Sequence, residues 1–167
     1  MADQRAYAGR DIEFQAKEWT AQRVGWIAMV AIVLLAASGL LGNAGPLATA
    51  ERTAPDGSLS ITYFRFDRHH APGELDIEVA PAFVEEGEVR LWIDAELVSR
   101  LGIERISPEP ESVEMAPERY VYVFAVAEPG EPLTVAIDYK HNGYWRERGQ
   151  IGLENGAPIT LSQFVFP

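Results

Sequence analysis

The chain of 167 residues contains no cysteine, which excludes disulfide bonds, thiolate metal sites and cysteine nucleophiles. Other common catalytic signatures are also missing: there is no G-x-S-x-G, S-x-x-K or H-E-x-x-H motif and no glycine-rich phosphate-binding loop. The sequence therefore predicts a protein that is not an enzyme and holds no cofactor. Without disulfide bonds, its folded part must be stabilised by a hydrophobic core alone.

Charged side chains are absent from Val24–Gly42, where Ser38 is the only polar residue. A helix of this length measures about 28 Å, close to the thickness of the hydrocarbon core of a bilayer. A soluble core helix would carry a polar stripe, and none is present. The run therefore predicts one transmembrane helix over residues 24–42. Because it also lacks histidine and acidic residues, any haem or pigment in an assembly with this chain would belong to a partner.

Basic residues flank the two ends of this run unequally. Four Lys or Arg residues precede it in segment 1–23, whereas Asn43–Ser60 contains only Arg52. The positive-inside rule places segment 1–23 in the cytoplasm and the C-terminal domain in the periplasm, across a bacterial inner membrane. The alternative is a signal peptide cleaved at Ala48–Ala50. Against it, the apolar run is longer than that of a typical signal peptide, and the preceding segment is long and mixed in charge.

Two features of the N-terminal region concern helices. Asp11 to Arg23 has the spacing of an amphipathic helix with Asp11 as its N-cap, which would lie near the membrane surface or continue into the span; a frayed tail is the alternative. Within the span, small residues share one face and would let a second membrane helix approach, although small residues are common in spans generally. These candidate packing residues are Gly25, Ala28, Ala36 and Gly39.

The rest of the chain has the pattern of a β domain. After a linker at 43–57, short alternating runs recur between turn signals. They predict a mainly β fold, an antiparallel Ig-like β-sandwich over 58–167 with about seven to nine strands. Ala95–Leu101 is the one stretch expected to form a helical turn. Asn142-Gly143 and Asn155-Gly156 are typical of hairpin turns.

One local cluster could bind a metal ion. His69 and His70 lie near Glu74, and such side chains ligate zinc, copper or nickel. Adjacent residues of a strand point to opposite faces, so both histidines could serve one ion only from a loop. The alternative is a solvated, charged turn. His141 is expected to be exposed in its own turn, and the acidic clusters are expected to be solvated turns rather than calcium sites.

Charge and exposed aromatic residues bear on partners. Residues 1–23 are balanced in charge, so the net charge of −11 belongs to the C-terminal domain. Such a domain is a poor ligand for nucleic acid and should be repelled by anionic lipid headgroups, which favours a basic periplasmic protein or a neutral surface as a partner. Some aromatic residues must be exposed if each strand has one core face, and these could dock a partner; coverage of both faces is the alternative. The candidates are Tyr63, Phe64, Phe164 and Phe166.

Several stretches, including EVRLWIDAELVSRLGIERISPEPESVE, YVYVFAV, GEPLTVAIDY and QFVFP, resemble small uncharacterised bacterial single-span membrane proteins with a C-terminal periplasmic β domain. The likeness covers most of residues 10–167. It implies the same layout, and it transfers no site residues because the shared motifs are structural.

Two functions follow as hypotheses. The first is a non-catalytic accessory subunit of a larger inner-membrane complex, photosynthetic or respiratory, in which the helix packs on other integral membrane subunits within the bilayer and the β domain braces the periplasmic face. The second is a membrane-tethered periplasmic module that binds a ligand, a peptide or a metal ion.

Overall fold

The computed structural model describes residues 3–38, 47–126 and 130–167, with side chains from residue 18 onward in those ranges. This part of the chain contains one long helix followed by eleven strands, with a short helix and a 3-10 turn between strands. In chain order, the elements are α1 (Asp3–Ala37), β1 (Thr49–Thr53), β2 (Leu59–Phe64), β3 (Phe66–Arg68), β4 (Pro72–Val79), the 3-10 turn (Pro81–Phe83), β5 (Glu88–Asp94), α2 (Ala95–Leu101), β6 (Ile103–Ser107), β7 (Ser112–Met115), β8 (Arg119–Ala125), β9 (Leu133–Lys140), β10 (Trp145–Leu153) and β11 (Ile159–Phe166).

The N-terminal helix α1 is continuous. It begins at Asp3, so Asp11 lies within the helix and the prediction of an N-cap there is wrong. The predicted amphipathic helix, Asp11 to Arg23, is part of α1 and continues without a break into the apolar segment. Glu18–Ala37, which is 20 residues long, is long and apolar enough to cross a membrane, and none of its apolar window is buried within the protein. At its start, the guanidinium of Arg23 lies 3.9 Å from the ring centroid of Trp19.

Two sheets form the β domain, which confirms the predicted mainly β, sandwich-like fold. The five-stranded sheet has the order β1-β2-β4-β9-β6, and the six-stranded sheet has the order β3-β11-β10-β5-β8-β7. All neighbours are antiparallel except β3 and β11, which are parallel. Eleven strands are present rather than seven to nine, because each sheet gains short strands at its edges.

The core lies between the two sheets. Each sheet turns alternate side chains inward, as Leu75 and Ile77 of β4 and Leu91 and Ile93 of β5 do; all four are fully buried. The burial of these aliphatic side chains is the main source of stability in a domain without disulfide bonds. The predicted helical turn is confirmed as α2, which covers the core with Leu97 and one further leucine.

The two Asn-Gly turns have different outcomes. Asn155-Gly156 connects β10 to β11, which pair as an antiparallel hairpin, so this prediction is confirmed. Asn142-Gly143 connects β9 to β10, which belong to different sheets. The prediction of a hairpin there is wrong: the segment crosses from one layer of the sandwich to the other.

Candidate functional site

The metal-ligand candidates His69, His70 and Glu74 lie in different surroundings. His69 follows β3 in a turn, where its Nδ1 lies 3.2 Å from the carbonyl oxygen of Gly143 and its Nε2 lies 2.7 Å from the hydroxyl of Tyr144. A carbonyl oxygen can only accept, so Nδ1 donates its proton and Nε2 accepts a hydrogen bond from Tyr144. Both ring nitrogens of His69 are thus engaged within the protein.

The other two candidates do not complete a metal site. His70 is exposed beside His69, with 3.9 Å between their ring centroids. Glu74 is exposed on the outer face of the five-stranded sheet, opposite Asp138. Among the described residues, no group of three or more histidine, cysteine or acidic side chains is arranged to hold a metal ion. The role that the geometry gives His69 is to position Tyr144.

Three of the four predicted docking residues lie at one end of the sandwich. Phe64 is the last residue of β2, and Phe164 and Phe166 are near the end of β11; all three are half-buried. The ring centroids of Phe164 and Phe166 are 4.9 Å apart. Tyr63 is only 3% exposed and packs in the core. The prediction that Tyr63 helps to dock a partner is therefore wrong.

The structure adds aromatic residues to this end that the sequence did not single out. The ring of Phe66 lies 6.4 Å from that of Phe166, and Trp145 lies 6.1 Å from Phe164. The side chains of Tyr144 and Trp145 are 51% and 62% exposed. Trp145 also has a backbone φ of 69°, an unfavourable conformation for a bulky residue that the surrounding structure must hold. Tyr144 and Trp145 were not predicted as docking residues, because the Asn-Gly pair before them is typical of a turn.

The candidate packing residues of α1 remain uncovered. Gly25, Ala28 and Ala36 are all exposed, and a Cβ added to Gly25 would meet no other atom within 4 Å. Gly39 lies outside the described residues. The described part of this face is therefore free to contact lipid or a second helix.

The end of the sandwich that carries Phe64, Phe66, Trp145, Phe164 and Phe166 is called the aromatic end below. Beneath it, five polar side chains are buried together. His141 Nε2 lies 3.6 Å from Oδ2 of Asp67, and its Nδ1 lies 3.3 Å from Oε2 of Glu147. The Tyr139 hydroxyl donates to Oδ2 of Asp67 at 3.2 Å and accepts from Nε2 of Gln163 at 3.0 Å. These contacts join β3, β9, β10 and β11, so the cluster fixes the segments that carry the exposed aromatic residues.

Burial has the largest effect on the pKa values of His141 and Tyr139 in this cluster. Desolvation lowers the pKa of His141 below its ordinary value, although the carboxylates of Glu147 and Asp67 favour the charged imidazolium. Desolvation and the charge of Asp67 together raise the pKa of the Tyr139 phenol well above its usual range. Tyr139 therefore stays protonated at neutral pH and donates its hydrogen bond to Asp67.

The position of His141 corrects another prediction. It is fully buried rather than exposed, because the segment after β9 passes between the sheets instead of turning back on itself. A Cβ on Gly143 would overlap the carboxylate of Glu147, so a larger residue here would displace that buried carboxylate. One sequence signal was available: Glu147 is in phase with Gly149 and Ile151, the inward-facing positions of β10.

The aromatic end is also the end at which the chain arrives from α1. The backbone N–H of Leu47 donates to the carbonyl of Ser38, next to the last residue of α1, at 3.1 Å. The following residue, Ala48, accepts a hydrogen bond from the backbone of Arg65 at 2.7 Å. Because β1 then pairs with the end of β2, the aromatic end lies beside the C-terminal end of α1.

Unpaired arginines accompany the aromatic residues. Five guanidinium groups have no ion pair, hydrogen bond or ring contact within the described residues, whereas the other five basic side chains of the β domain each contact a carboxylate or an indole ring. Arg52, Arg65 and Arg146 line one groove with Phe66 and Phe164. We refer to the following residues as the arginine–aromatic edge: Arg52, Arg65, Arg68, Arg146, Arg148, Phe66, Phe164, Phe166 and Trp145.

The opposite face of the domain is acidic. On the outer face of the five-stranded sheet, Glu74 lies directly across from Asp138, and Asp76 and Glu78 follow on the same strand. Arg105, 3.9 Å from Asp138, is the one basic partner within hydrogen-bonding or ion-pairing distance among the described residues. Like charges placed directly opposite each other destabilise a sheet, so this face favours a basic neighbour.

Comparison with known proteins assigns no family. No protein-family model matches the chain, and no curated protein matches it at a significant level. Function is therefore inferred from the chain itself: an uncovered apolar helix, an acidic sheet face, and an arginine–aromatic edge held in place by a buried polar cluster.

Proposed function

We propose that this chain is a non-catalytic accessory subunit of a larger bacterial inner-membrane complex, with a photosynthetic or respiratory complex as the first host to test. In this proposal, α1 spans the membrane with its N-terminus in the cytoplasm, and the β domain braces the periplasmic face. The observation that carries the proposal is the helix itself. None of the apolar window within Glu18–Ala37 is buried in the protein, so lipid or other helices must cover it.

The packing of β1 supports retention of the helix in the mature protein. Ala48 and Ala50 are 1% and 4% exposed, as core residues are, and Thr49–Thr53 pairs along its whole length with β2. Cleavage after Ala50 would remove part of this strand and two core side chains. A signal-peptide site is therefore a poor fit to this segment.

Two surfaces support a place beside other subunits. The open face of α1 at Ala28 and Ala36 would let a second helix approach closely, which is how membrane helices associate in the absence of a hydrophobic driving force. The acidic sheet face, where Glu74 lies opposite Asp138, would gain from a basic protein surface.

Purification of the full chain from its native membranes tests the proposal. A C-terminally tagged chain, extracted in mild detergent at native abundance, should co-purify with integral membrane proteins in a fixed stoichiometry, as measured by mass spectrometry. Recovery of the chain alone would overturn the proposal.

Variants of the helix face sharpen this test. Combining Ala28→Leu with Ala36→Leu should reduce recovery of the partner, because two added side chains prevent close approach of a helix. Ala37→Leu, on the opposite side of the same helix from Ala28, is the matched control and should leave recovery unchanged. Equal recovery from all three chains would show that this face does not contact the partner.

A further inference from the structure

The arginine–aromatic edge concentrates positive charge in a chain whose net charge is −11. Its five guanidinium groups have no partner within the described residues, although 21 acidic residues follow the span. A guanidinium presents a planar set of donors that matches phosphate and carboxylate oxygens. The edge therefore offers unused donors to an anionic surface.

Strand pairing and one groove bring these groups together: Arg146 lies on the outer face of the six-stranded sheet, and Arg52 of β1 and Arg65, which follows β2, line the same groove. Phe164 pairs with Arg146 on one side and with Phe66 on the other, and directly paired residues of neighbouring strands project from the same face. The side chains beside Phe164 on β11, Gln163 and Val165, are buried on the inner face. The outer face of the six-stranded sheet thus ends in a mixed basic and aromatic patch.

The exposed aromatic side chains indicate which kind of anionic surface the edge contacts. Trp145 is 62% exposed, and the neighbouring Tyr144 is 51% exposed. Tryptophan and tyrosine favour the headgroup region of a bilayer, where an apolar ring and a polar tip are both accommodated. The Leu47–Ser38 hydrogen bond holds this end of the domain beside the end of α1, which is where a bilayer surface would lie.

We propose that the arginine–aromatic edge binds anionic phospholipid headgroups of the same membrane that α1 spans. The side of the six-stranded sheet formed by β3, β11 and β10 then lies against the bilayer, and the acidic face of the other sheet points away from it. This inference rests on the proposed function, because it takes α1 as the membrane anchor.

Net charge alone predicts the opposite, namely repulsion from anionic lipid. Exposed charges, however, act over only about 8 Å at physiological ionic strength, so the sign of the nearest groups decides the interaction. An acidic protein is the competing occupant. The phospholipid surface is favoured because the tether keeps the edge beside it at a high effective concentration.

The absence of native cysteine allows a direct test with the full chain. Two single-cysteine variants of the full chain are spin-labelled: Ser162→Cys at the groove and Thr62→Cys on the acidic face. Each is reconstituted into liposomes of phosphatidylcholine, with or without phosphatidylglycerol. We expect the label at 162 to gain collisions with oxygen and lose collisions with a water-soluble nickel chelate when phosphatidylglycerol is present. The label at 62 should remain in water in both lipids.

Charge variants separate specific binding from general attraction. Combining Arg65→Gln with Arg146→Gln should weaken the lipid contact at 162 by about fivefold for each guanidinium removed. Combining Arg100→Gln with Arg105→Gln changes the net charge equally, at positions away from the edge, and should leave the contact unchanged.

Three outcomes would overturn the inference: a label at 162 that stays in water in both lipids, equal effects of the two double variants, or shielding of 162 in native membranes but not in liposomes, which would identify a protein as the occupant. Release of the full chain by an alkaline carbonate wash would instead contradict α1 as an anchor, so failure of the proposed function is distinguished from failure of this inference.

Discussion

The hydroxyl of Tyr139 joins two neighbouring groups in the core, since it donates to Asp67 and accepts from Gln163. Tyr139→Phe leaves the buried carboxylate without this donor, and we expect the free energy of unfolding to fall by about 1–3 kcal/mol. Thermal unfolding of the chain in detergent, followed by circular dichroism, measures the change. Tyr63→Phe is the matched control, because the Tyr63 hydroxyl has no hydrogen bond among the described residues. Equal effects would contradict the role given to Tyr139.

The buried imidazole of His141 makes stability depend on pH. Its pKa is lowered in the folded protein from an ordinary value of 6.5, so the unfolded chain binds a proton first as the pH falls below that value. Linkage then requires the free energy of unfolding to decrease on acidification through this range. The groups that face the ring are Asp67, Glu147 and Tyr139.

Urea unfolding between about pH 7.5 and pH 5.5 tests this dependence. The slope of stability against pH should become smaller in His141→Gln, which retains a polar side chain without the titration. His70→Gln, at an exposed histidine, should keep the slope of the unmodified chain. An unchanged slope in His141→Gln would show that this imidazole does not carry the effect.

The same residue shows why the buried cluster could not be predicted. His141 precedes an Asn-Gly pair, and local turn chemistry favours an exposed hairpin there. The chain instead crosses between the sheets, a choice made by the pairing of β9 with β4 and of β10 with β11. Because these pairings join residues distant in sequence, a local pattern indicates the inward direction of Glu147 but not the buried side chains that it meets at this crossing.

At the scale of elements, the pattern of apolar residues predicted the interior strands of both sheets and missed the strands at their edges. Seven runs predict strands, over residues 59–63, 75–79, 89–93, 120–126, 133–139, 150–153 and 159–166. The four strands without such a run are β1, β3, β6 and β7. These are the two outer strands of each sheet. An edge strand is covered less, as the fully exposed pattern of β7 illustrates, so its sequence carries little alternation. The helical turn at α2 was predictable because its apolar residues have helical spacing.

The pairing of β4 with β9 depends on close contact between a glycine and a ring. A Cβ on Gly73 would overlap the ring of Tyr139, its cross-strand partner, and that ring is held by the buried cluster. We expect Gly73→Ala to lower the free energy of unfolding by about 1–3 kcal/mol, as overpacking of a core does. Glu74→Ala, at the next and exposed position of β4, should change it by less than about 0.5 kcal/mol.

The midpoint of urea unfolding of each variant, at equal slope, gives the comparison. If Gly73→Ala is as stable as Glu74→Ala, the Tyr139 ring is free to move, and the cluster does not hold it in place.

At the scale of the whole molecule, the arginine–aromatic edge and the acidic face of the five-stranded sheet differ in the sign of their charge. The net charge of −11 led the sequence argument to expect repulsion from anionic lipid over the entire domain. The unpaired arginines instead gather along one groove at the edge of the sandwich, whereas the carboxylates of β4 lie on the outer face of the five-stranded sheet. Composition gives the sum of the charges, whereas the distribution follows from strand order, which the sequence did not predict.

The orientation of α1 determines which compartment contains these surfaces. Four basic residues precede the span and Arg52 alone follows it closely, so the positive-inside rule predicts that the β domain is outside. Alkaline phosphatase fused after residue 167 should be active, because this enzyme folds only in an oxidising compartment, and a fluorescent protein fused before residue 1 should fluoresce in the cytoplasm. Replacing Arg10, Lys17 and Arg23 with glutamine should reduce phosphatase activity by weakening the bias that sets orientation, whereas Arg100→Gln should not. An inactive phosphatase in the unmodified chain, at normal abundance in the membrane, would place the arginine–aromatic edge at the cytoplasmic leaflet.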